Sequence, residues 1–358
     1  GFLSRDESQH DIFGAGHSST ALSAALGISW RNSTDWTGAV VGDGGLTAGL
    51  ALEALNNLSS GARGPLLVVL NDNQMSISPN VGALSKILRG SGAREFFAEW
   101  GVDYVGPGDG HDLSYLVETL TSLRATKPHR PILLHLFTEK GRGHAQAKDQ
   151  PARFHGISPA SAAREPGAPI AERETFSDRF GKRILFHARA DHRVIGITAA
   201  MAEGTGLSVL AHEFPDRLID VGIAEPHAIT FAAGLAAGGK KPVVAIYSTF
   251  LQRAIDGLIH DVGIQNLPVT IGVDRAGLVG QDGATHHGQF DLNYLLMIPG
   301  FTVYAPSSFK ELDECIDRSL LAQGPAAIRY PRGTGREQMT GFETLELSRV
   351  INPQQPTA

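Results

Sequence analysis

Short, continuous apolar runs alternate with segments of helical pattern along the whole chain. The runs in the first half are GAVVGDG, PLLVVLNDN, VDYVGP and PILLHLFTE, and those in the second half are RVIGITA, RLIDVGIAE, PVVAIY, PVTIGVDR, FTVYAP and AAIRYP. Because apolar and polar residues do not alternate within them, the runs predict parallel strands buried on both faces. Helices are predicted over residues 46–58, 113–125, 174–190, 226–237, 250–265 and 309–322. This alternation predicts an α/β fold with open, mostly parallel sheets.

A stretch without apolar periodicity separates two halves of similar pattern. Residues 155–174, HGISPASAAREPGAPIAERE, are rich in Pro, Ala, Gly and Ser, a composition typical of linkers. We therefore expect a first domain over residues 1–154, a linker over 155–174, a second domain over 175–335 and a polar tail over 336–358.

The composition favours a globular protein that acts on a small molecule. Apolar residues make up 42% of the 358 residues, enough for a sizeable core. The formal net charge of −6, without a long basic run, argues against a nucleic-acid surface. Cys315 is the only cysteine, so no internal disulfide can form, and no apolar stretch reaches 18 residues. The first residues contain no signal-peptide core, and we expect a cytoplasmic protein.

Asp43 lies where a predicted strand gives way to a helix, in VVGDGGLTAGL. Thirty residues further on, Asn73 follows the strand PLLVVL, and neighbouring parallel strands would bring both residues to one edge of a sheet. An Asp carboxylate, an Asn amide oxygen and a backbone carbonyl, by position that of Met75, suit Mg²⁺ shared with a phosphate. GDG followed by NDN at this spacing is typical of thiamine diphosphate enzymes. The alternative is two ordinary turns.

The segment GAGHSSTALSAALGIS predicts a glycine turn that leads into a helix, with Ser18 or Ser19 as its N-cap. The N–H groups and the positive dipole end of such a helix would face a diphosphate. His17 would then donate to that phosphate, although a capping or packing histidine is an open alternative.

Glu225 lies at the end of a predicted strand, where an apolar helix begins, in DVGIAEPHAITFAAG. Thiamine diphosphate needs one carboxylic acid beside N1′ of its aminopyrimidine, and that acid promotes removal of the C2 proton. A Glu at the edge of an apolar segment should have a raised pKa, which suits this role. The alternative is a helix-start acid that faces the dipole.

The second half contains further polar and aromatic residues after its strands. Phe250 could stack on the pyrimidine ring, while Tyr247 and Arg253 could reach a substrate. The loop DRAGLVGQDGATHHGQFDL and the segment IRYPRG gather ionisable side chains: Arg275, Asp282, His286, His287, Arg329 and Arg332. Two of these, Arg275 and Arg332, could clamp a substrate phosphate. A core phenylalanine and surface salt bridges are the alternatives.

Together these blocks resemble the 1-deoxy-D-xylulose-5-phosphate synthase family, which is related to transketolase. The matching segments run in order from about residue 11 to residue 333. They are GAGHSST, GDGGLTAG, LVVLNDNQMSISPNVGAL, YVGPGDGHD, KGRGHAQAKDQPARFHG, DVGIAEPHAITFAAG, AIYSTFLQRA, HDVGIQNLPV, DRAGLVGQDGATHHGQFDL and RYPRG.

The resemblance implies two thiamine-diphosphate-binding domains in each chain of a homodimer, with the active site between the two domains. It implies decarboxylation of pyruvate and transfer of the two-carbon unit to D-glyceraldehyde 3-phosphate. This is the first step of the methylerythritol phosphate route to isoprenoids, and its product also feeds thiamine and pyridoxal synthesis.

The resemblance also assigns residues by motif position. Asp43, Asn73 and Met75 would hold Mg²⁺, Glu225 would activate the cofactor, and His155 would close over the site. The other cofactor contacts would be His17, Ser18, Ser19, Gly42, Gly44, Gly45, Ile77, Lys140, Met201 and Phe250. The substrate contacts, several of them catalytic, would be Tyr247, Arg253, Arg275, Asp282, His286 and Arg332.

The chain departs from the family pattern in several places. It starts after a segment that carries another active-site histidine, its insertion after NVGAL is short, and it ends before a third domain, so a shortened form is expected. Ala200, Ala202 and Pro226 replace the usual Pro, Arg and Gln. Two alternatives stay open: another transketolase-like enzyme with a different acceptor, and a core that binds the cofactor without turnover.

Overall fold

The computed structural model describes residues 3–30, 34–62, 64–126, 128–151, 154–155 and 173–338, with the side chain of Gln281 excepted. The chain divides into two units, one formed by residues 1–162 and 222–224 and the other by residues 163–221 and 225–358. Most of the predicted linker, residues 156–172, and most of the predicted tail, residues 339–358, lie outside the described residues.

The first unit contains a four-stranded parallel sheet with the strand order β1-β2-β4-β3. Its elements are α1 (Ala21–Ile28), β1 (Thr37–Gly42), α2 (Asp43–Leu46), α3 (Gly49–Gly61), β2 (Leu66–Asp72), α4 (Gly82–Arg89), α5 (Ala93–Glu99), β3 (Asp103–Asp109), α6 (Leu113–Arg124), β4 (Ile132–Phe137) and α7 (Ala145–Asp149). Leu22 of α1 and Leu55 of α3 pack with Val68 of β2 in its core.

The second unit contains a six-stranded parallel sheet with the strand order β6-β5-β7-β8-β10-β9. Its helices and strands are α8 (Phe176–Ala190), β5 (Val194–Thr198), α9 (Ser208–Glu213), β6 (Leu218–Asp220), α10 (Glu225–Ala237), β7 (Lys241–Tyr247), α11 (Ser248–Leu251), α12 (Ile255–Gly257), β8 (Thr270–Asp274), α13 (Asp291–Met297), β9 (Thr302–Tyr304), α14 (Phe309–Leu321) and β10 (Ala326–Arg329). Between them are 3₁₀ turns at Pro215–Arg217, Gln252–Ala254, Gly280–Asp282 and Ala284–His286, and a π-helix at Leu258–Gly263. Two apolar clusters fill its core, one around α10 and one around α8 and α14.

The predicted α/β class with parallel sheets is confirmed, and the central strands β5 and β8 are buried along their whole length. The edge strand β1 is different, because its residues alternate between buried and exposed, and Val40 is 70% exposed. Burial on both faces was therefore the wrong prediction for β1. No described helix is both long and apolar enough to cross a membrane.

Two predicted helices are interrupted in the structure. The prediction for residues 46–58 becomes α2 and α3, because Ala48 is extended (φ −75°, ψ 148°). The prediction for residues 250–265 becomes α11, a 3₁₀ turn, α12 and the π-helix, with Ala254 outside the helical region (φ −109°, ψ 15°). The apolar pattern alone did not reveal these breaks, since it spans both sides of each.

Candidate active site

Asp43 and Asn73 lie together at the carboxyl ends of β1 and β2. These strands are neighbours, and Gly42 pairs with Asn71 at their ends, so the residues that follow meet at one edge. Asp43 is only 2% exposed. Its Oδ1 accepts a hydrogen bond from the backbone N–H of Asn73 (3.3 Å), and its Oδ2 accepts one from the side-chain amide of Asn80 (3.0 Å).

Residues 73–80 form a tight loop, which we call the asparagine loop. Asn73 Oδ1 accepts a hydrogen bond from the backbone N–H of Met75 (3.1 Å), and Asn80 N–H donates to the Gln74 carbonyl (3.0 Å). Asn73, Met75 and Ile77 are half-buried, whereas Asn80 is buried. Sequence reasoning did not single out Asn80, although it lies in the quoted block LVVLNDNQMSISPNVGAL.

The glycines of GDGG let three segments approach closely. A Cβ added to Gly44 would lie 2.7 Å from Cβ of Ser76 in the asparagine loop. A Cβ on Gly45 would lie 3.6 Å from the Ser19 nitrogen and 3.8 Å from the Ser18 Cβ, just before α1. The GDGG turn is therefore packed between the asparagine loop and the start of α1.

The residues before α1 differ from the prediction. The N-cap of α1 is Thr20, which makes no side-chain capping hydrogen bond, so the assignment of the cap to Ser18 or Ser19 was wrong. Ser19 has a left-handed backbone (φ 75°), which turns it away from a cap geometry. Its Oγ is buried and has no hydrogen-bond partner among the residues that the structure describes. His17, which precedes these serines, is half-buried.

Lys140 contacts the asparagine loop at Ser76. Its Nζ donates to the Ser76 carbonyl (2.5 Å), and burial lowers the pKa of its ammonium group, an effect that the Asp43 carboxylate opposes. Burial raises the pKa of Asp43, while the hydrogen bond from Asn80 lowers it. His155 as a whole is exposed, yet loss of solvent around its ring and the nearby Lys140 charge lower its pKa.

The donor set in the first unit fits a hard, oxygen-binding cation. No group of three His, Cys, Asp or Glu side chains that could hold a metal ion occurs among the residues described. Asp43 and Asn73 instead offer a carboxylate and an amide oxygen beside loop carbonyls, a set that suits a Mg²⁺ ion whose shell is completed by phosphate and water. The Ser19 hydroxyl, buried without a partner, leaves a donor for such a ligand.

Glu225 is the first residue of α10, and burial raises the pKa of its carboxyl, as the sequence suggested. The guanidinium of Arg253 lies 3.8 Å from Glu225 Oε2 and partly offsets the effect of burial on that pKa. Arg253 was expected to contact substrate, and the structure places it beside the Glu225 carboxyl.

Three ring side chains are in contact: Tyr247 at the end of β7, Phe250 in α11 and His286 in the turn Ala284–His286. The rings of Tyr247 and Phe250 are stacked with their centroids 5.7 Å apart, and His286 meets Phe250 edge-on at 5.3 Å. Met201 lies beside this group, since a Cβ on Gly204 would be 2.2 Å from the Tyr247 hydroxyl and 3.1 Å from Met201 Cε.

Arg275 lies over the ring of Tyr247, with its guanidinium carbon 3.8 Å from the ring centroid. It is held there because its Nη1 donates to the Gly204 carbonyl (2.7 Å) and pairs with the buried Asp274 (2.9 Å). Ser177 Oγ donates to the same carboxylate (2.7 Å). Sequence reasoning missed Asp274 and Ser177, although Asp274 ends an apolar strand and so has the same pattern that drew attention to Asp43 and Glu225.

Arg275 and Arg332 were predicted to clamp a substrate phosphate, and each of them forms an ion pair with a carboxylate. Arg332 forms an ion pair with Asp282, as Arg275 does with Asp274. All four charges act on the Tyr247 hydroxyl, whose pKa burial raises.

The two remaining candidates of this region have structural partners. His287 Nδ1 accepts a hydrogen bond from the backbone N–H of Val279 (3.1 Å). Arg329 pairs with the buried Asp291 (2.9 Å), so its ion pair is not a surface salt bridge.

Comparison with known proteins connects these two groups of residues to one family. The family model described as 1-deoxy-D-xylulose-5-phosphate synthase matches residues 1–96 and 90–138, and the model described as Transketolase, pyrimidine binding domain matches residues 175–338. A curated 1-deoxy-D-xylulose-5-phosphate synthase from Thiobacillus denitrificans is 46% identical over 98% of this chain and 63% of its own length. Over nearly its whole length the chain is similar to the 1-deoxy-D-xylulose-5-phosphate synthase family. Another 1-deoxy-D-xylulose-5-phosphate synthase, from Aquifex aeolicus, is 45% identical over 97% of this chain and 62% of its own length.

The chain spans about three fifths of the length of these synthases. The alignment with the Thiobacillus protein covers 399 positions, more than the 358 residues present, so that synthase has residues within the matched span that this chain lacks. The two matched stretches of the synthase model overlap at residues 90–96, within the segment where a short insertion was expected. In the structure, only residues 90–92 join α4 to α5. A solved transketolase from Campylobacter jejuni aligns with 92% of this chain and 63% of its own, at 15% identity and a TM-score of 0.46.

Proposed function

We propose that this chain is the cofactor-binding core of a 1-deoxy-D-xylulose-5-phosphate synthase. It would decarboxylate pyruvate and transfer the two-carbon unit to D-glyceraldehyde 3-phosphate. The observation that carries the proposal is the meeting of Asp43 and Asn73 at the ends of two neighbouring strands, within a chain similar to this family.

The first unit would hold Mg²⁺ and the diphosphate of thiamine diphosphate. Asp43, Asn73 and the carbonyl of Met75 would ligate the ion. Lys140 supplies a positive charge beside them, which favours an anionic ligand. The unpaired Ser19 hydroxyl, packed against Gly45, would donate to the same ligand.

Glu225 would hold a proton at its carboxyl and share it with the aminopyrimidine. Its burial favours the protonated form, and the Arg253 guanidinium keeps the ionised form within reach. Thiamine diphosphate, when bound, supplies the thiazolium carbon that stabilises negative charge during decarboxylation and carbon transfer. Phe250, stacked on Tyr247, would offer an aromatic face to the pyrimidine.

The cations around Tyr247 would bind the anionic substrates. Arg275 and Arg332 are each paired with a carboxylate, so a phosphate would have to compete with Asp274 or Asp282 for them. His286, which lies at the edge of Phe250, and His155 would carry protons. We also propose a homodimer, which sedimentation would test.

The deciding experiment measures 1-deoxy-D-xylulose 5-phosphate formation from both substrates with thiamine diphosphate and Mg²⁺. It is run beside calorimetric binding of the cofactor. We expect product from the parent protein, binding without product from Glu225→Ala, and no Mg²⁺-dependent binding by Asp43→Ala. Unchanged binding by Asp43→Ala would overturn the assigned metal site.

A second candidate is a cofactor-binding protein without turnover. The observation that favours it is the pairing of Arg275 with Asp274 and of Arg332 with Asp282, because a substrate phosphate would have to compete with these carboxylates. Tight binding by the parent protein, with no product at any substrate concentration, would support this candidate over the synthase.

A further inference from the structure

A chain of buried hydrogen bonds leads through the first unit to the asparagine loop. The hydroxyl of Tyr104 on β3 lies 2.7 Å from Nδ1 of His135 on β4, and Nε2 of His135 lies 3.0 Å from Oδ2 of Asp72 on β2. Oδ1 of Asp72 accepts the backbone N–H of Gln74 (3.0 Å). These strands are adjacent in the sheet, and His135 has no exposed surface.

The donors and acceptors in this series of hydrogen bonds can be assigned from its Gln74 end. The Gln74 N–H can only donate, so the Asp72 carboxylate accepts at Oδ1, and it accepts again at Oδ2 from Nε2–H of His135. Nδ1 of His135 faces the Tyr104 hydroxyl, which donates to this nitrogen in the tautomer that carries its proton on Nε2. Every polar atom in the chain is satisfied in this arrangement, which a buried carboxylate requires.

Gln74 is the loop residue that this series of hydrogen bonds reaches. Its φ of 62° is left-handed, a conformation that residues with a Cβ rarely adopt without support. It stands between Asn73 and Met75, the two loop residues assigned to the metal. The Met75 N–H bonds to Asn73 Oδ1, so the backbone of Gln74 sets how the Met75 carbonyl lies relative to the Asn73 amide.

We propose that Asp72, His135 and Tyr104 are positioning residues for the Mg²⁺–diphosphate site. They hold Gln74 in its left-handed conformation and thereby aim the oxygens of Asn73 and Met75. The inference rests on the proposed function, because it concerns the same site, but it adds three residues that none of the sequence motifs assigned.

A purely structural role, in which the chain only ties β2, β3 and β4 together, makes a different prediction. In that case the loss of His135 lowers stability but leaves the affinity of the folded protein for its ligand unchanged. A positioning role lowers the affinity, and the loss is smaller when residue 74 can adopt the left-handed conformation by itself. Glycine has that freedom.

The test compares His135→Leu, His135→Gln and Tyr104→Phe, each with and without Gln74→Gly. Calorimetric titration with Mg²⁺ and thiamine diphosphate gives the affinity, and urea unfolding without ligand gives the stability. We expect His135→Leu to weaken binding about tenfold or more, the effect of losing a hydrogen bond to a buried carboxylate. His135→Gln, which keeps an N–H donor, should retain most of the affinity, and Gln74→Gly should reduce the loss to about threefold.

Ser319→Ala is the matched control, since Ser319 is buried in α14 of the second unit and its Oγ bonds to the Cys315 carbonyl (2.8 Å). It should lower stability and leave the affinity unchanged. If His135→Leu does not fold, the smaller change Tyr104→Phe carries the comparison with Gln74→Gly.

The outcomes separate the two proposals. A parent protein that does not bind the cofactor overturns the proposed function, and this inference with it. A parent protein that binds, with the same affinity in folded His135→Leu and Tyr104→Phe, overturns the positioning role alone. Equal losses with and without Gln74→Gly would also overturn it.

Discussion

Gly44→Ala tests whether the close packing of the GDGG turn sets the geometry of the metal site. A Cβ at this position would lie 2.7 Å from Cβ and 3.0 Å from Cα of Ser76. Carbon atoms in contact prefer about 3.5–4.0 Å, so one of the two segments has to move by about 1 Å. Ser76 belongs to the asparagine loop, and its carbonyl accepts the hydrogen bond from Lys140, so the displacement is expected to reach both.

The size of the effect follows from the cost of overpacking, about 1–3 kcal/mol. Bound ligands need their protein atoms within about 0.5 Å of the required position, which a shift of about 1 Å exceeds. If the strain is relieved by moving the loop, it appears in the binding free energy, and affinity falls by about 5-fold to 150-fold. Stability without ligand should then change by less than about 3 kcal/mol.

The assay is calorimetric binding of thiamine diphosphate at saturating Mg²⁺, with circular dichroism and urea unfolding to verify the fold. Gly49→Ala is the matched control, because a Cβ on Gly49, the first residue of α3, would meet nothing within 4 Å. We expect it to bind like the parent protein and to be equally stable or more stable by about 0.5–1 kcal/mol. A folded Gly44→Ala protein with the affinity of the parent would refute the reasoning.

Three further predictions concern the second unit. Burial raises the pKa of Glu225 above its ordinary value of 4.5. As the pH rises, the unfolded chain therefore loses the Glu225 proton before the folded protein does. The free energy of unfolding falls between pH 4.5 and the raised pKa of the folded state. Glu225→Gln should therefore match the parent protein below about pH 4.5 and exceed its unfolding free energy at higher pH, by up to about 1.4 kcal/mol per pH unit across that window; a constant difference would contradict this. Gly181→Ala should destabilise by about 3 kcal/mol in urea unfolding, because its Cβ would lie 1.9 Å from the Gly206 carbonyl oxygen, whereas Gly234→Ala, with nothing within 4 Å, should stabilise by about 0.5–1 kcal/mol. Burial raises the pKa of the Cys315 thiol to about 12, so a thiol reagent at pH 8 should label no cysteine in the folded protein and one per chain after denaturation; fast labelling of folded protein would show that this part of the core opens.

Much of the fold could be predicted because its signals are local. Apolar runs without alternation predicted parallel strands, and the structure has two parallel sheets in which β5 and β8 are buried throughout. Strand β1 failed this prediction because its place at the edge of the sheet, with its outer face uncovered, is decided by strand order rather than by its own residues. The breaks at Ala48 and Ala254 were also missed, since neither alanine carries a local signal for leaving a helix.

Some features of the candidate site could also be predicted from local sequence patterns. The meeting of Asp43 with Asn73 could be predicted, because two residues that end consecutive parallel strands reach the same edge once those strands are neighbours. The raised pKa of Glu225 could be predicted as well, since this residue stands at the start of an apolar helix, where burial is expected. Whether these residues do the chemistry assigned to them stays a prediction.

By itself the sequence determined the α/β class, the two similar halves, the family resemblance and the strand ends where chemistry is expected. Only the tertiary structure decided which partners each polar side chain has. Asn80 reaches Asp43 across 37 residues, and His135 reaches Asp72 across 63. Arg275 folds onto Tyr247 because Gly204, 71 residues before it, offers its carbonyl. The physical reason is that strand and helix patterns arise from neighbours along the chain, whereas a buried polar group is satisfied by whatever the packed sheet brings within 3 Å.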